Sequence, residues 1–166
     1  MTQPALTITR LPISGLDEIE PLWNALREHH GRIAPHFGPI RPREASWAIR
    51  KGLYEQWLQE DGAFALIARH GDQAVGYALT RIHGPVATWP DDSEGMLETL
   101  SVHPDARGTG VGSALIAATR AGVAEQGVAT LAIGVIPTND GAQRFYRRHG
   151  FTPYVDIIRG TTAPQD

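Results

Sequence analysis

The residues best suited to chemistry run from Val102 through His103, Pro104, Asp105, Ala106, Arg107, Gly108, Thr109, Gly110 and Val111 to Gly112. An apolar stretch ended by proline leads into a glycine-rich turn, and the turn opens onto a helical pattern. Glycine tolerates positive φ and brings no Cβ near a ligand, so successive backbone N–H groups can converge on one point. A helix start adds unpaired donors and a partial positive charge. Together these make a site for phosphate or pyrophosphate, with Arg107 as a formal charge at its rim. A tight strand-to-helix turn with no ligand is the plainer alternative. Two nucleotide signatures fail on the residues. A P-loop needs lysine followed by Ser or Thr after the glycines, where this chain has Gly112 and Ser113. A dinucleotide fingerprint needs glycine where Ser113 stands and an acidic residue about 20 positions later, where an apolar run lies.

Arg107-Gly108-Thr109-Gly110-Val111-Gly112 matches the Q/R-x-x-G-x-G/A pyrophosphate signature of the GNAT acetyltransferases, and the likeness extends to either side. Leu100-Ser101-Val102-His103-Pro104 resembles the strand which that family places before the loop. Asn139, Ala142, Phe145-Tyr146 and Gly150-Phe151 resemble its N…A…FY…GF segment. Three linked motifs spanning residues 98–151 are far more specific than one glycine loop. The resemblance implies an acetyl-CoA-dependent N-acetyltransferase with no metal. It implies a sheet that splays beside the pre-loop strand and holds pantetheine in the gap. Leu100, Ser101 and Val102 would contact the pantetheine arm and thioester. The N–H groups of residues 107–112, with Ser113 beside them, would hold the pyrophosphate.

Aminolysis of a thioester needs a neutral amine, whereas an alkyl amine with a pKa of ~10.4 arrives protonated. A carboxylate near the site can accept the proton directly or through water. Glu98 is the candidate. Strand alternation would put it on one face with Met96, Leu100 and Val102, a setting that raises a carboxylate pKa, and many family members similarly carry glutamate ahead of the L-x-V segment. A solvated charge near the strand end is the competing reading. By resemblance Tyr146 is the general acid for the leaving thiolate, against a buried aromatic with a satisfied hydroxyl. Asn139 resembles a contact to the cofactor arm, but Pro137-Thr138-Asn139-Asp140 is also a good helix N-cap. With no cysteine in the chain, direct attack in a ternary complex is preferred over a thioester on the protein. A non-catalytic acyl-CoA-binding module with an intact loop is the alternative.

The acceptor, a primary amine of a small molecule or peptide, would meet the first two helices, their connector and the loop before Met96. Trp23, His29, His30, His36, Trp47, Tyr54 and Trp89 are the aromatic and imidazole groups there, with Trp23 and Trp47 read mainly as core. Adjacent His29 and His30 diverge on a helix, so they make no metal site. Asp91-Asp92-Ser93-Glu94 is an acidic run read as a solvated turn, with attraction of an ammonium as its functional alternative.

These groups must be positioned by a pattern that reads β-α-α-β-β-β-α-β-α-β. Leu6 and Ile8 alternate with threonines in a first strand. Leu16, Ile19, Trp23, Leu26 and His30 recur at helical spacing up to Gly31 as a stop, and Ala45, Ile49, Leu53 and Trp57 suggest the buried face of a second helix. Strands at 63–70 and 74–83 join at Gly71-Asp72, a hairpin signal. A strand at 96–103 ends at Pro104, and a helix at 112–125 turns Leu115, Ile116, Thr119 and Val123 inward. The apolar run 128–136 reads as a strand, 140–149 as a helix closed by Gly150, and 151–158 as a last strand. The fold class is α/β of mixed α+β type, GNAT-like, with a mixed sheet of about six strands flanked by about four helices. The chain is expected to be one domain, 1–166, with 160–166 a flexible tail. Only about fifteen residues follow Phe151, so the further strand that walls the acceptor pocket in many relatives is expected to be missing, replaced by the N-terminal helices or supplied by a neighbouring subunit, which is compatible with a homodimer.

Composition fits that reading. A 166-residue chain with 42% hydrophobic and 20% charged residues can bury a core without staples. The formal charge of −3 gives no nucleic-acid footprint. No apolar run approaches a membrane span, and MTQPALTITR lacks the pattern of a signal peptide, so the chain reads as cytoplasmic. Lys51 is the sole lysine among 15 basic residues, a usage pointing to a GC-rich bacterial source.

Overall fold

A computed structural model describes residues 4–85, 87–88, 93–160 and 162. Trp89, Asp91, Asp92 and most of the expected C-terminal tail lie outside them. Five strands form one sheet in the order β1-β2-β3-β4-β5, with β1 at Leu6–Arg10, β2 at Phe64–His70, β3 at Gln73–His83, β4 at Glu94–Val102 and β5 at Leu131–Ala132. The first four pair antiparallel and β5 joins β4 in parallel, as expected for hairpins followed by an α/β crossover.

One face of the sheet is covered by a 3-10 helix, Ile13–Ile19, and by helices α1, Glu20–Ile33, and α2, Arg43–Trp57. Leu16, Ile19, Leu22, Trp23, Trp47 and Tyr54 pack there on Ile67, Tyr77 and Leu79. Helices α3, Val111–Ala124, and α4, Asp140–Arg148, flank the opposite face, where Leu115, Ile116 and Val123 meet Leu66, Ala78 and Leu97. Each such aliphatic side chain contributes about 1.5–3 kcal/mol by leaving water. Among the described residues no helix is long and apolar enough to cross a membrane.

Four expectations change. Helix α1 continues through Gly31, because that glycine serves packing rather than capping: a Cβ there would sit 2.8 Å from Ile40. Pro35 opens the next short turn, and the helix ends just before it. The face of α2 is rotated from the expected one: Ile49 is half-exposed while Ser46, Trp47 and Tyr54 are buried, since the aromatic rings carry more apolar surface to the sheet. Of the expected strand 128–136, only Leu131–Ala132 pairs. The expected strand 151–158 forms no ladder; Tyr154, Val155, Ile157 and Ile158 are exposed, so the described sheet has five strands rather than six. Apolar alternation alone does not provide a neighbour to pair with.

Candidate active site

Strands β4 and β5 pair only at Gly95↔Leu131 and Met96↔Ala132, and then part. Past that point Thr99 and Leu100 of β4 face residues 133–136 across a cleft of about 140 Å3. Ile133, Gly134, Val135 and Ile136 read as strand because they are apolar; they line this cleft instead of entering a ladder. The splay expected next to the pre-loop strand is therefore present, and it leaves main-chain donors and acceptors along both walls for a ligand to use.

The cleft brings Glu98, Leu100, Asn139 and Tyr146 together with Trp23, His30 and Arg50. Glu98 arrives there by a bulge. Leu79 pairs with Thr99 but Thr80 pairs with Leu97, so Glu98 is the extra residue of β4. An extra residue breaks the two-residue alternation. Leu97, Leu100 and Val102 keep to the α3 face, while Thr99 reaches Tyr54 and Glu98 reaches Arg81 on the α2 face. The expectation that Glu98 shares a face with Leu100 and Val102 is corrected: simple alternation fails at the bulge.

Glu98 is not a loose surface charge. Its side chain is 19% exposed, and Oε1 accepts a hydrogen bond from Arg81 Nη1 at 3.0 Å. His83 Nε2 lies 3.6 Å from the same oxygen. Arg81 also donates two bonds to Glu60, at 2.8 and 2.9 Å, and lies over the Trp57 ring. This network fixes the carboxylate and leaves Oε2 without a partner among the described residues. Beneath the bulge, the Tyr54 hydroxyl donates to Thr99 Oγ1 at 2.7 Å and lies 3.0 Å from the Tyr77 hydroxyl. Tyr54, expected on the acceptor side, is instead fully buried as a support.

On the opposite wall Tyr146 is 8% exposed, set edge-on against Phe145 and Phe151. Its hydroxyl bonds to nothing among the described residues, and burial pushes its pKa well above the usual phenol range. Such a group remains a proton donor at any physiological pH. Asn139 caps α4, its Oδ1 accepting from the Ala142 N–H at 3.1 Å, and it lines the cleft as well. The cap uses Oδ1 and leaves the amide nitrogen without a partner among the described residues.

The glycine loop has the geometry of an anion cradle. Gly108 and Gly110 hold φ of 76° and 93°, and a Cβ on either would meet nothing within 4 Å. Gly110 is the N-cap of α3. From Gly108 to Ser113 the N–H groups donate to nothing among the described residues. The Arg107 N–H is spent on Pro104 O at 3.2 Å, so the run of unpaired N–H groups starts one residue later than expected. The Arg107 side chain bonds Val102 O at 3.3 Å, and Ser113 Oγ lies 2.9 Å from His149 Nε2. Thr109 Oγ1 ties the turn to Ala106 O at 2.7 Å. Gly112 meets a separate demand: α4 crosses so close that a Cβ would lie 3.1 Å from Phe145 Cζ. Ser101 turns its side chain the other way, donating to Leu22 O at 2.9 Å, and it does not line the cleft.

On the acceptor side His30 lines the cleft, its pKa held down by burial and by nearby His29 and Arg50. Trp23 does double duty, its indole N–H donating to Ser46 Oγ at 3.2 Å while its ring also lines the cleft. Trp47 is core, as expected, and His36 is exposed beside Phe37. The sequence reading missed Arg81, His83 and Arg50. Nothing local marks the first two, which matter only through the bulge. Arg50 had a signal: Trp47, Arg50, Tyr54 and Trp57 form one helical stripe.

Comparisons with known proteins agree with this geometry. Mycothiol acetyltransferase of Actinosynnema mirum is 30% identical over 160 residues, covering 89% of this chain and 51% of that protein. The enzyme of the same name from Geodermatophilus obscurus is 32% identical over 148 residues, 87% of this chain and 44% of that one. The chain thus spans about half the length of these curated relatives. An aminoglycoside N-acetyltransferase solved in complex with CoA superposes with a TM-score of 0.74 at 24% identity, covering 97% of each chain. A Bacillus halodurans protein superposes at 0.80 with 16% identity, covering 93% of this chain and 99% of that one. The family model described as Acetyltransferase (GNAT) family matches residues 23–151, which takes in the bulged strand, the glycine loop and the α4 segment together. The chain belongs to the GNAT acetyltransferase family.

Proposed function

We propose that this chain, acting as one domain over 1–166, moves an acetyl group from acetyl-CoA to a primary amine by direct attack in a ternary complex. The observation that carries the reading is the splayed cleft, which sets Glu98 on one wall and Tyr146 on the other. The names of the similar proteins, mycothiol acetyltransferase and aminoglycoside N-acetyltransferase, favour a small-molecule acceptor over a peptide.

In this reading the free N–H groups from Gly108 to Ser113 bind the pyrophosphate, and pantetheine enters between β4 and residues 133–136. Glu98 Oε2 takes the proton that makes the amine neutral and passes it to solvent. The amine nitrogen then forms a bond to the thioester carbonyl carbon, and the C–S bond breaks. Tyr146 gives its hydroxyl proton to the departing sulfur. The second proton leaving the nitrogen restores the phenol by way of water. The products are an N-acetyl amide and CoA as free thiol. A homodimer and a cytoplasmic site of action belong to the same proposal.

The test is thiol release from acetyl-CoA across a panel of amines, using wild type, Glu98→Gln and Tyr146→Phe. The expected result is turnover by wild type, with kcat lowered roughly 100-fold or more in either variant while acetyl-CoA still raises the melting temperature. A double variant that turns over as fast as wild type would refute both assignments. Cofactor binding with no turnover on any amine would point to a binding module instead.

A further inference from the structure

Two side chains with formal charge line the cleft among the described residues, and their circumstances differ. Glu98 has a counter-charge in Arg81 at 3.0 Å. Arg50 has none: among the described residues its guanidinium makes no ion pair or hydrogen bond, and its Nε is buried without a partner. The group is nevertheless held in place. Its guanidinium carbon lies 4.1 Å from the Trp23 ring centre, 5.5 Å from that of Tyr54 and 6.0 Å from that of Trp57. Stacking on rings orients the fork and keeps water from one face, but it supplies no acceptor for the N–H donors. A partly buried polar group with unfilled donors at the wall of a ligand cleft calls for a partner. His30, next to it, is neutral and offers no negative charge to fill that need.

We infer that Arg50 is the acceptor-recognition residue and that the acceptor is an amine also bearing an anionic group, a carboxylate or a phosphate ester, which docks on the Arg50 fork while the amine points to Glu98. The assignment rests on the acetyl-transfer reading and deepens it. Planar, two-pronged donation to a carboxylate or phosphate is what a fixed guanidinium does best. A polycationic acceptor would meet Arg50 unopposed, and the one carboxylate lining the cleft among the described residues is already paired. Arg50 stands on α2, away from the Gly108–Ser113 cradle on the loop into α3, so its anion is distinct from the cofactor pyrophosphate.

The test compares matched acceptors. Glycine, L-alanine, L-leucine and L-phenylalanine are each assayed against their amides, phosphoethanolamine against ethanolamine, and spermidine serves as the polycation. Wild type should favour the anionic member by 10- to 100-fold in kcat/KM, about the worth of one hydrogen-bonded charge. The ratio should collapse toward unity in Arg50→Gln and recover in part in Arg50→Lys, which restores charge without the fork. Melting curves with and without acetyl-CoA show that each variant is folded. The amino-acid and phosphate arms tell which anion is used. A preference of wild type for amides or spermidine, or a ratio unchanged in Arg50→Gln, overturns the inference and leaves acetyl transfer standing. Calorimetry on the CoA complex separates the other failure: Arg50-dependent binding of the acids without transfer sustains the anion site and refutes the reaction. Absence of both binding and transfer for every anionic amine in the panel overturns the inference.

Discussion

Replacing Gly110 by alanine separates a cofactor cradle from a mere turn. Gly110 has φ 93° and ψ −7°, in the left-handed region, and a Cβ there meets nothing within 4 Å. The change therefore introduces no clash inside the protein, only backbone strain of roughly 1–2 kcal/mol. In a domain of this size that lowers the melting temperature by about 2–8 °C. Gly127 is the matched control at the other end of α3, with φ 75° and nothing within 4 Å of its Cβ. The helix between them has 14 residues and is about 21 Å long. Gly127→Ala should cost similar stability but leave ligand binding alone. Acetyl-CoA at ~100 times its dissociation constant stabilises a fold by about 2.7 kcal/mol, or roughly 5–11 °C here. Wild type and Gly127→Ala should show that rise in a thermal-shift assay, and Gly110→Ala should lose most of it, because the methyl would stand in the open space beside the unpaired N–H groups. If both variants melt lower yet keep equal acetyl-CoA shifts, the loop does not cradle the pyrophosphate.

Three further perturbations test the supports of the site. Arg81→Met removes the anchor of Glu98 Oε1; kcat should fall roughly 10- to 100-fold through misplacement with the KM for acetyl-CoA little changed, and an unaltered kcat would show that the ion pair positions nothing. Tyr54→Phe strands the Tyr77 hydroxyl and Thr99 Oγ1 below the bulge, which should cost about 1–3 kcal/mol in urea unfolding. His30 titrates below its ordinary value of 6.5 in the folded protein, so the unfolded chain binds its proton more readily. Stability from this group is complete above pH 6.5 and is lost as pH falls toward the depressed folded value. The melting temperature of His30→Asn should accordingly fall less between pH 7.5 and 5.5 than that of wild type, and parallel profiles would rule out the effect.

The glycine loop was legible in the sequence because its requirements are local. Positive φ at Gly108 and Gly110, Pro104 ending the strand and the helix start after Gly110 all act within a few residues. Helices α1, α3 and α4 were legible for the same reason, since their apolar spacing or caps are printed in the chain. Asn139 as a cap could be read from four residues alone. The family resemblance rested on these same segments.

The sequence by itself thus determined the glycine loop, the order of the helices and strands as far as α4, and the identity of Glu98 and Tyr146 as residues to watch. Tertiary structure decided where those side chains point. A bulge depends on the pairing of β3 with β4, which no run of residues announces, and it carried Glu98 from the expected face to the side of α2. Residues 133–136 diverge from the β4 edge after Ala132 and line a cleft, while 151–158 joins no ladder and lies exposed. The α2 face was settled by which rings fit the sheet, and with it the exposure of Arg50 toward the cleft. Spacing along a chain fixes what is near in sequence, while burial, register and charge pairing follow from what distant segments bring together.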